Sequence, residues 1–368
     1  MFERDGYRVA CPEEIETPAL LVFEACLAHN IKTVIDLAGG PANLMAHVKT
    51  HKSTEVLRRQ MAAGISRFKT ATLTETEMVA AAEGPQALLA YPLVSRVKID
   101  RFISLQKKYP RTRFQLITAH AENAAVLSAA AEKNGVRLEV MVDLDVGQHR
   151  TGIGLEDAGA LYQYIAALPG LVPAGIHAYD GHLSDPDPAI READALACLE
   201  QVQTLARQME ARGLLVPFKV MGGSFTFPTY ARAEGVLASP GTWVYWDQNN
   251  LTRLPEMPFR PAALVLAQVI DVMPERGQVT LDLGSKAISA DMGRILGAPR
   301  ARLLLQNEEH AVIATEGHDL KLGDHVLAVP GHVCTTVFRY PGSWFIDASG
   351  NVAGWNEHAA RDRGPLPD

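Results

Sequence analysis

Over residues 44–246 the chain alternates short apolar runs with amphipathic stretches, the pattern of parallel strands buried on both faces and joined by crossover helices. Apolar runs at 44–48, 67–71, 87–91, 114–118, 138–143, 172–178, 218–221 and 244–246 predict eight strands. The segments between them read as helices: 55–63 follows Ser53, 75–82 follows Thr74, and 121–133 is alanine-rich with a helical period. Eight such units predict a (β/α)8 TIM-type barrel.

Further on the pattern changes. Residues 264–272, 279–283, 311–314 and 325–330 are short, β-rich and separated by turn signals such as Pro274-Glu275-Arg276-Gly277, and residues 19–23 are also strand-like. The predicted organisation is a barrel over 24–250 and a mostly β second domain formed by 1–23 and 251–368. The stretch from Arg361 to Pro365 reads as a frayed end.

Composition narrows the class. With 368 residues, 47% hydrophobic and 21% charged, the chain can bury two cores. A net charge of -7, a pI near 6.0 and the lack of any Lys/Arg block exclude an ordinary nucleic-acid binder. Apolar runs fall short of the roughly 20 residues that cross a bilayer, and Met1-Phe2-Glu3-Arg4-Asp5 lacks the basic opening of a secretion signal. A cytoplasmic protein is expected, with small molecules or a second copy of the chain as partners. Cys11, Cys26, Cys198 and Cys334 are scattered and read as reduced thiols.

In a barrel of this type, functional groups sit at the carboxyl ends of the strands and in the loops that follow. Lys49 ends the first predicted strand, Arg150 follows the fifth, His177 and Tyr179 end the sixth, and Gly222-Gly223-Ser224 follows the seventh. A lysine so placed, partly buried and near other cations, can supply the neutral amine that forms an imine. The Gly-Gly-Ser loop offers unhindered backbone N–H groups and a hydroxyl to a phosphate, and Gly241 and Thr242 offer a second such loop, drawn just before the last strand. His332 and Cys334, in a segment read as extended, would project to one face as two ligands for a divalent transition metal. Two protein ligands leave positions for water or substrate, as in a catalytic site.

The ordered set His47-Val48-Lys49-Thr50-His51-Lys52, Gly147-Gln148-His149-Arg150-Thr151-Gly152, His177-Ala178-Tyr179-Asp180-Gly181-His182, Gly222-Gly223-Ser224, Pro240-Gly241-Thr242, Asp282-Leu283-Gly284-Ser285-Lys286, Glu308-Glu309-His310 and Pro330-Gly331-His332-Val333-Cys334 resembles the D-threonine aldolase and D-serine dehydratase family of fold-type III, alanine-racemase-like pyridoxal-phosphate enzymes. The match runs over most of the chain. It implies pyridoxal 5'-phosphate linked to Lys49, with His47, Arg150, Tyr179, the Gly222–Ser224 loop, Gly241 and Thr242 around it. It also implies a divalent metal (manganese, zinc or magnesium) at His332 and Cys334, a D-amino acid substrate and a homodimer. Arg150 would meet the cofactor's phenolic oxygen or the substrate carboxylate, and Tyr179 would lie near the pyridine nitrogen. One departure is that the family commonly has Arg-Pro before the histidine of the lysine motif, where this chain has Met45-Ala46.

Two outcomes share this machinery: retro-aldol cleavage of a β-hydroxy D-amino acid to glycine and an aldehyde, and dehydration to a 2-oxo acid and ammonia. Aldolases of the resemblance often carry Asp where this chain has Cys334, and dehydratases carry Cys. The runs around Tyr179, Pro240-Gly241-Thr242 and the closing Ala359-Ala360-Arg361-Asp362-Arg363 are closer to the aldolase branch, which is the reading adopted. Candidate proton acceptors for the β-hydroxyl are His51, His177, His182 and a metal-bound water, with His149 and His182 expected to serve loop hydrogen bonds. A non-catalytic carrier of the cofactor and a metal-free racemase are rivals. The first has no use for the His332/Cys334 pair, and the second needs another acid or base that the sequence does not single out. Trp243, Trp246 and Trp344 are candidates to line an aromatic substrate pocket, against the commoner core role.

Overall fold

A computed structural model describes residues 2–314 and 319–366. The chain divides into two compact units, Val34–Lys49 with Val56–Gly241 and Asp362–Asp368, and Met1–Thr33 with Thr50–Glu55 and Thr242–Arg361. The division runs within the helix Glu24–Leu37 and again just after Gly241.

The first unit is the barrel. Its strands Ala46–His47, Arg67–Thr70, Gln86–Leu89, Arg113–Thr118, Leu138–Leu144, Leu171–Ala178, Phe218–Met221 and Val236–Ala238 pair in parallel, each with its neighbour in chain order. The ring closes where Leu44 bridges Ala238 in parallel and the Met45 N–H donates to the Ala238 carbonyl at 2.8 Å. Strands covered by helices outside and filled by side chains inside read as continuous apolar runs. Met45, Leu88, Ile117, Met141, Ala174, Val220 and Leu237 form the buried interior cluster, drawn from seven of the eight strand positions.

The eighth strand is not where the sequence predicts it. Trp243-Val244-Tyr245-Trp246 looks β-prone because it is aromatic and β-branched. Instead, Thr242–Val244 is a 3-10 turn, the Trp246 N–H donates to the Thr242 carbonyl at 2.8 Å, and Trp246 has a positive φ of 48°. The strand is the three-residue Val236–Ala238, too short to announce itself, so Pro240-Gly241-Thr242 follows the last strand. Trp243 and Trp246 are fully buried, in the core role.

Local capping explains a second difference. The helix predicted to follow Thr74 starts at Leu73, because Thr72 accepts from the Glu75 N–H at 3.1 Å while Glu75 accepts from the Ala71 N–H at 2.6 Å. This is a shifted form of the Thr-x-x-Glu capping box. Nor is the tail frayed: Gly364 O accepts from Thr74 Oγ1 at 2.6 Å and Arg101 Nη2 at 3.0 Å, and Arg363 O accepts from Arg101 Nη1 at 3.0 Å.

Gly175 carries a register shift between the fifth and sixth strands. Its φ is +128° and an added Cβ would lie 1.9 Å from the Phe218 carbonyl oxygen on the seventh strand. Gly175→Ala is therefore expected to destabilise the protein by about 2–5 kcal/mol through combined strain and overpacking. Chemical denaturation would check this; a midpoint unchanged from wild type would contradict the close approach.

In the second unit the long strand Ala263–Met273 is the hub. It pairs antiparallel with Ala19–Phe23, Gln278–Leu281 and His325–Val329, and Gly342–Ile346 adds to Ala19–Phe23 in parallel. The N-terminal strand is thus central, and Leu21, Leu264, Leu266, Leu327 and Ile346 pack in one buried cluster. Among the described residues, no helix is long and apolar enough to cross a membrane.

Candidate active site

Lys49 lies just past the first barrel strand, half-buried, and its backbone N–H donates to His47 Nδ1 at 3.3 Å. His47 is in register with Lys69 on the second strand. Lys69 is 3% exposed, and its amine lies 5.6 Å from the ring centroid of Tyr179. The Arg150 guanidinium stands 4.8 Å from the same ring. Burial, then the neighbouring Lys49 charge, brings Lys69 down to about 7, with Arg150 adding to the repulsion. Three cations and one aromatic ring thus converge at the carboxyl ends of the strands. Lys69 is a functional candidate that sequence reasoning missed. The available signal was a lysine inside an otherwise strand-like run, one residue from its carboxyl end.

Next to them, His177 and Asp143 are in register on adjacent strands, and His177 Nδ1 meets Asp143 Oδ1 at 2.7 Å. Desolvation lowers the His177 pKa despite that carboxylate, so the imidazole is held neutral, with its Nδ1–H donating to Asp143. His177 Nε2 and Asp143 Oδ2 are buried and have no hydrogen-bond partner among the described residues. Asp180, raised by burial, accepts from the Tyr230 hydroxyl at 2.5 Å. Asp143 and Tyr230 were not singled out in the sequence because their roles depend on cross-strand and strand-to-helix neighbours.

The loop after the seventh strand is tight. Gly222 has φ +79° and donates its N–H to the Ala178 carbonyl at 3.2 Å, and a Cβ on Gly222 would sit 2.5 Å from Tyr230 Cδ2. A Cβ on Gly223 would meet Tyr179 Cε2 at 3.1 Å. Both glycines keep the backbone of Gly222-Gly223-Ser224 open beside Tyr179. Gly241 ends the barrel unit, whereas Thr242 opens the 3-10 turn of the other unit. Arg150 is exposed on the loop after the fifth strand, where Asp145 accepts from the Gly147 and His149 N–H groups at 3.0 Å each and pairs with His149 Nδ1 at 2.8 Å. His149 therefore serves its loop. A cavity of about 440 Å³ opens here, lined by His120, Asn123, Asp145, His149, Arg150 and Thr151 among others.

The His332/Cys334 pair lies in the β unit, and its local structure corrects the extended reading. His332 is the N-cap of a short helix, Val333–Val337, so Cys334 stands in a first helical turn. The two side chains still meet: a hydrogen bond from His332 to the Cys334 sulfur raises the histidine's pKa, with Asp247 and Asp291 adding negative potential. Thr50 Oγ1 lies 3.3 Å from Cys334 Sγ. Asp247 is buried with its carboxyl pKa raised, and accepts from the Asn250 and Val333 N–H groups. Among the described residues, no group of three or more His, Cys, Asp or Glu side chains is arranged around one metal position. His51, in the same unit, is fully buried and brought down to about 3 by desolvation; its Nδ1 lies 3.1 Å from both the Ser53 N–H and the Ser53 carbonyl, and its Nε2 has no hydrogen-bond partner among the described residues.

Comparison with known proteins gives consistent relatives. The family model described as the alanine racemase N-terminal domain matches residues 24–249, and one described as a putative serine dehydratase domain matches residues 262–344. The chain is 28% identical to the 3-hydroxy-D-aspartate aldolase of Paracoccus denitrificans over 334 residues, covering 87% of this chain and 85% of that protein. It is 26% identical to the D-threo-3-hydroxyaspartate dehydratase of Delftia sp. over 379 residues, covering 93% and 97%. A variant of a D-threo-3-hydroxyaspartate dehydratase solved in a metal-free form has a TM-score of 0.81 at 23% identity, covering 94% and 98%. The crystal structure of D-threonine aldolase from Filomicrobium marinum has the same fold, with a TM-score of 0.86 at 24% identity over 95% of this chain and 96% of that one.

Proposed function

This chain belongs to the family of the alanine racemase N-terminal domain, and on that premise we propose that it is a lyase that uses pyridoxal phosphate and a divalent metal to cleave β-hydroxy D-amino acids to glycine and an aldehyde. The observation that supports the reading is the grouping of Arg150 and Lys69 on the Tyr179 ring, with the Lys49 charge close enough to act on Lys69, beside a glycine loop whose added Cβ atoms would strike Tyr179 and Tyr230. The curated relatives support the substrate class, since they include an aldolase and a dehydratase of 3-hydroxyaspartate.

The residues fit the cofactor. An amine beside a guanidinium suits an anionic aldehyde, and the open backbone at Gly222-Gly223-Ser224 suits a phosphate. The buried His177 Nε2 and Asp143 Oδ2, without a hydrogen-bond partner among the described residues, leave room for a further polar group. In this reading Lys49 holds the aldehyde, His47 orients the lysine backbone, and Gly241 and Thr242 add to the phosphate loop. Arg150 binds an anionic oxygen, and His177, kept neutral and fixed in tautomer by Asp143, presents Nε2. When bound, pyridoxal phosphate supplies an electron sink for negative charge at Cα. Lys49 then delivers a proton to that carbon in the cleavage reading, or takes the proton from it in the dehydration reading.

His332 and Cys334 fit an open metal site, because imidazole and thiolate are borderline-to-soft donors and leave the remaining positions to water or substrate. A divalent metal there would supply Lewis acidity. His51 is held too far below neutrality to act as a strong acceptor, so we assign it a neutral hydrogen-bonding role from its Nε2 side. A homodimer is part of the proposal.

Cys334 favours a second reading, since the resemblance associates cysteine at this position with dehydration. Product analysis separates the two. Purified protein with pyridoxal phosphate and manganese or zinc is expected to convert D-threonine or D-3-hydroxyaspartate to glycine and an aldehyde, with the L isomers inert. A 2-oxo acid with ammonia would instead establish the dehydratase, and no turnover of either substrate would count against the lyase.

A further inference from the structure

We propose that Lys69 is a second functional amine of the barrel site, a charge-switching partner of Lys49 that sets how readily the Lys49 nitrogen holds a proton once it carries the cofactor. The inference rests on the cofactor reading above.

Its geometry is that of a working group. Lys69 sits on the strand Arg67–Thr70, in register with His47 and therefore beside the chain that leads into Lys49. It is 3% exposed, with its amine against the Tyr179 ring, the same ring that Arg150 approaches. Among the described residues it has no hydrogen bond or ion pair, although a buried ammonium ordinarily demands one. A strand position that needed only an apolar stem would be filled without that penalty by methionine or leucine.

The groups that face it explain how the amine is tolerated. Lys49 comes from the turn after the first strand, Asp143 from the fifth, Arg150 from the loop after the fifth, and His177, Tyr179 and Asp180 from the end of the sixth. Asp180 and Asp143 favour the proton on Lys69, but burial and the two cations outweigh them and bring the group to about 7. Both protonation states are thus accessible at neutral pH. The repulsion between Lys69 and Lys49 is reciprocal, so a proton on either disfavours a proton on the other. Below neutrality Lys69 is cationic and pushes the proton off the Lys49 nitrogen; above it Lys69 is neutral and the pressure disappears.

The test follows the visible absorbance of the holoenzyme against pH, without substrate, in wild type, Lys69→Arg and Lys69→Met. Arginine stays charged throughout and methionine never is. The nitrogen of Lys69→Arg should lose its proton about one pH unit below that of Lys69→Met, a tenfold change in proton affinity. Wild type should follow the arginine curve below about pH 7 and join the methionine curve above it. Three coincident curves with cofactor bound would overturn the role of Lys69. Wild-type protein with no such absorbance would remove the cofactor reading and this inference with it. If the methionine variant fails to fold, separation of Lys69→Arg from wild type above pH 7 decides the matter alone.

Discussion

Lys49→Ala is expected to lower turnover by at least about 10³-fold and to abolish the borohydride-trappable link between protein and cofactor. The size of the effect follows from its two duties. In the proposed reading the lysine holds the aldehyde covalently and also moves the Cα proton, and alanine can do neither. Peptide mapping after borohydride reduction gives the clearest reading: in wild type the adduct should lie on Lys49. Lys69 makes the control necessary, because it is a second amine in the same unit with its pKa near neutrality. An adduct mapped to Lys69 in wild-type protein would mean that the chemistry had been assigned to the wrong lysine. Retention of full turnover by Lys49→Ala would remove covalent participation by Lys49 altogether.

The barrel was legible because parallel strands buried on both faces are simple apolar runs, and seven of the eight matched within a few residues. The eighth failed for a physical reason. Three residues, Val236–Ala238, carry no periodicity, whereas the aromatic run beginning at Trp243 has the composition of a strand and the hydrogen bonds of a helical turn. The tail was misread in a similar way. Charge and glycine suggest fraying, but the carbonyls of Arg363 and Gly364 have donors on Thr74 and Arg101, nearly 300 and more than 260 positions away in the chain. Contacts at such separations leave no local trace.

The candidate site was legible where the grouping of residues follows from position alone. Lys49, Arg150 and Tyr179 fall at strand ends, and the barrel rule places such residues together. Lys69 was illegible because an interior lysine on a strand looks like a solvated one until burial is known. Asp143 was hidden because its importance lies in the cross-strand meeting with His177. That the His332 and Cys334 side chains meet was expected for a partly wrong reason. Strand alternation predicted that the side chains share a face, but a helix N-cap brings them together instead.

That pair gives the second large effect. Cys334→Ala should bring metal content from stoichiometric to background and turnover down with it, while the visible absorbance of bound pyridoxal phosphate persists. Loss of a supporting residue around a metal ligand typically costs about 10–100-fold in affinity, so loss of one of the two proposed protein ligands should cost at least the upper end of that range. Cys334→Asp separates the ligand role from the packing role. It keeps an anionic donor but replaces sulfur with a harder oxygen, so metal should still bind, with preference moving from zinc toward manganese or magnesium. Metal analysis and turnover of the same dialysed preparations would decide between them. If Cys334→Ala keeps its metal and its activity, the thiol near Thr50 is a packing group, the 3.3 Å approach of the Thr50 hydroxyl is its ordinary hydrogen bond, and the metal must be held elsewhere. If both mutants lose metal while only the alanine variant unfolds, the sulfur itself is required and its softness selects the ion.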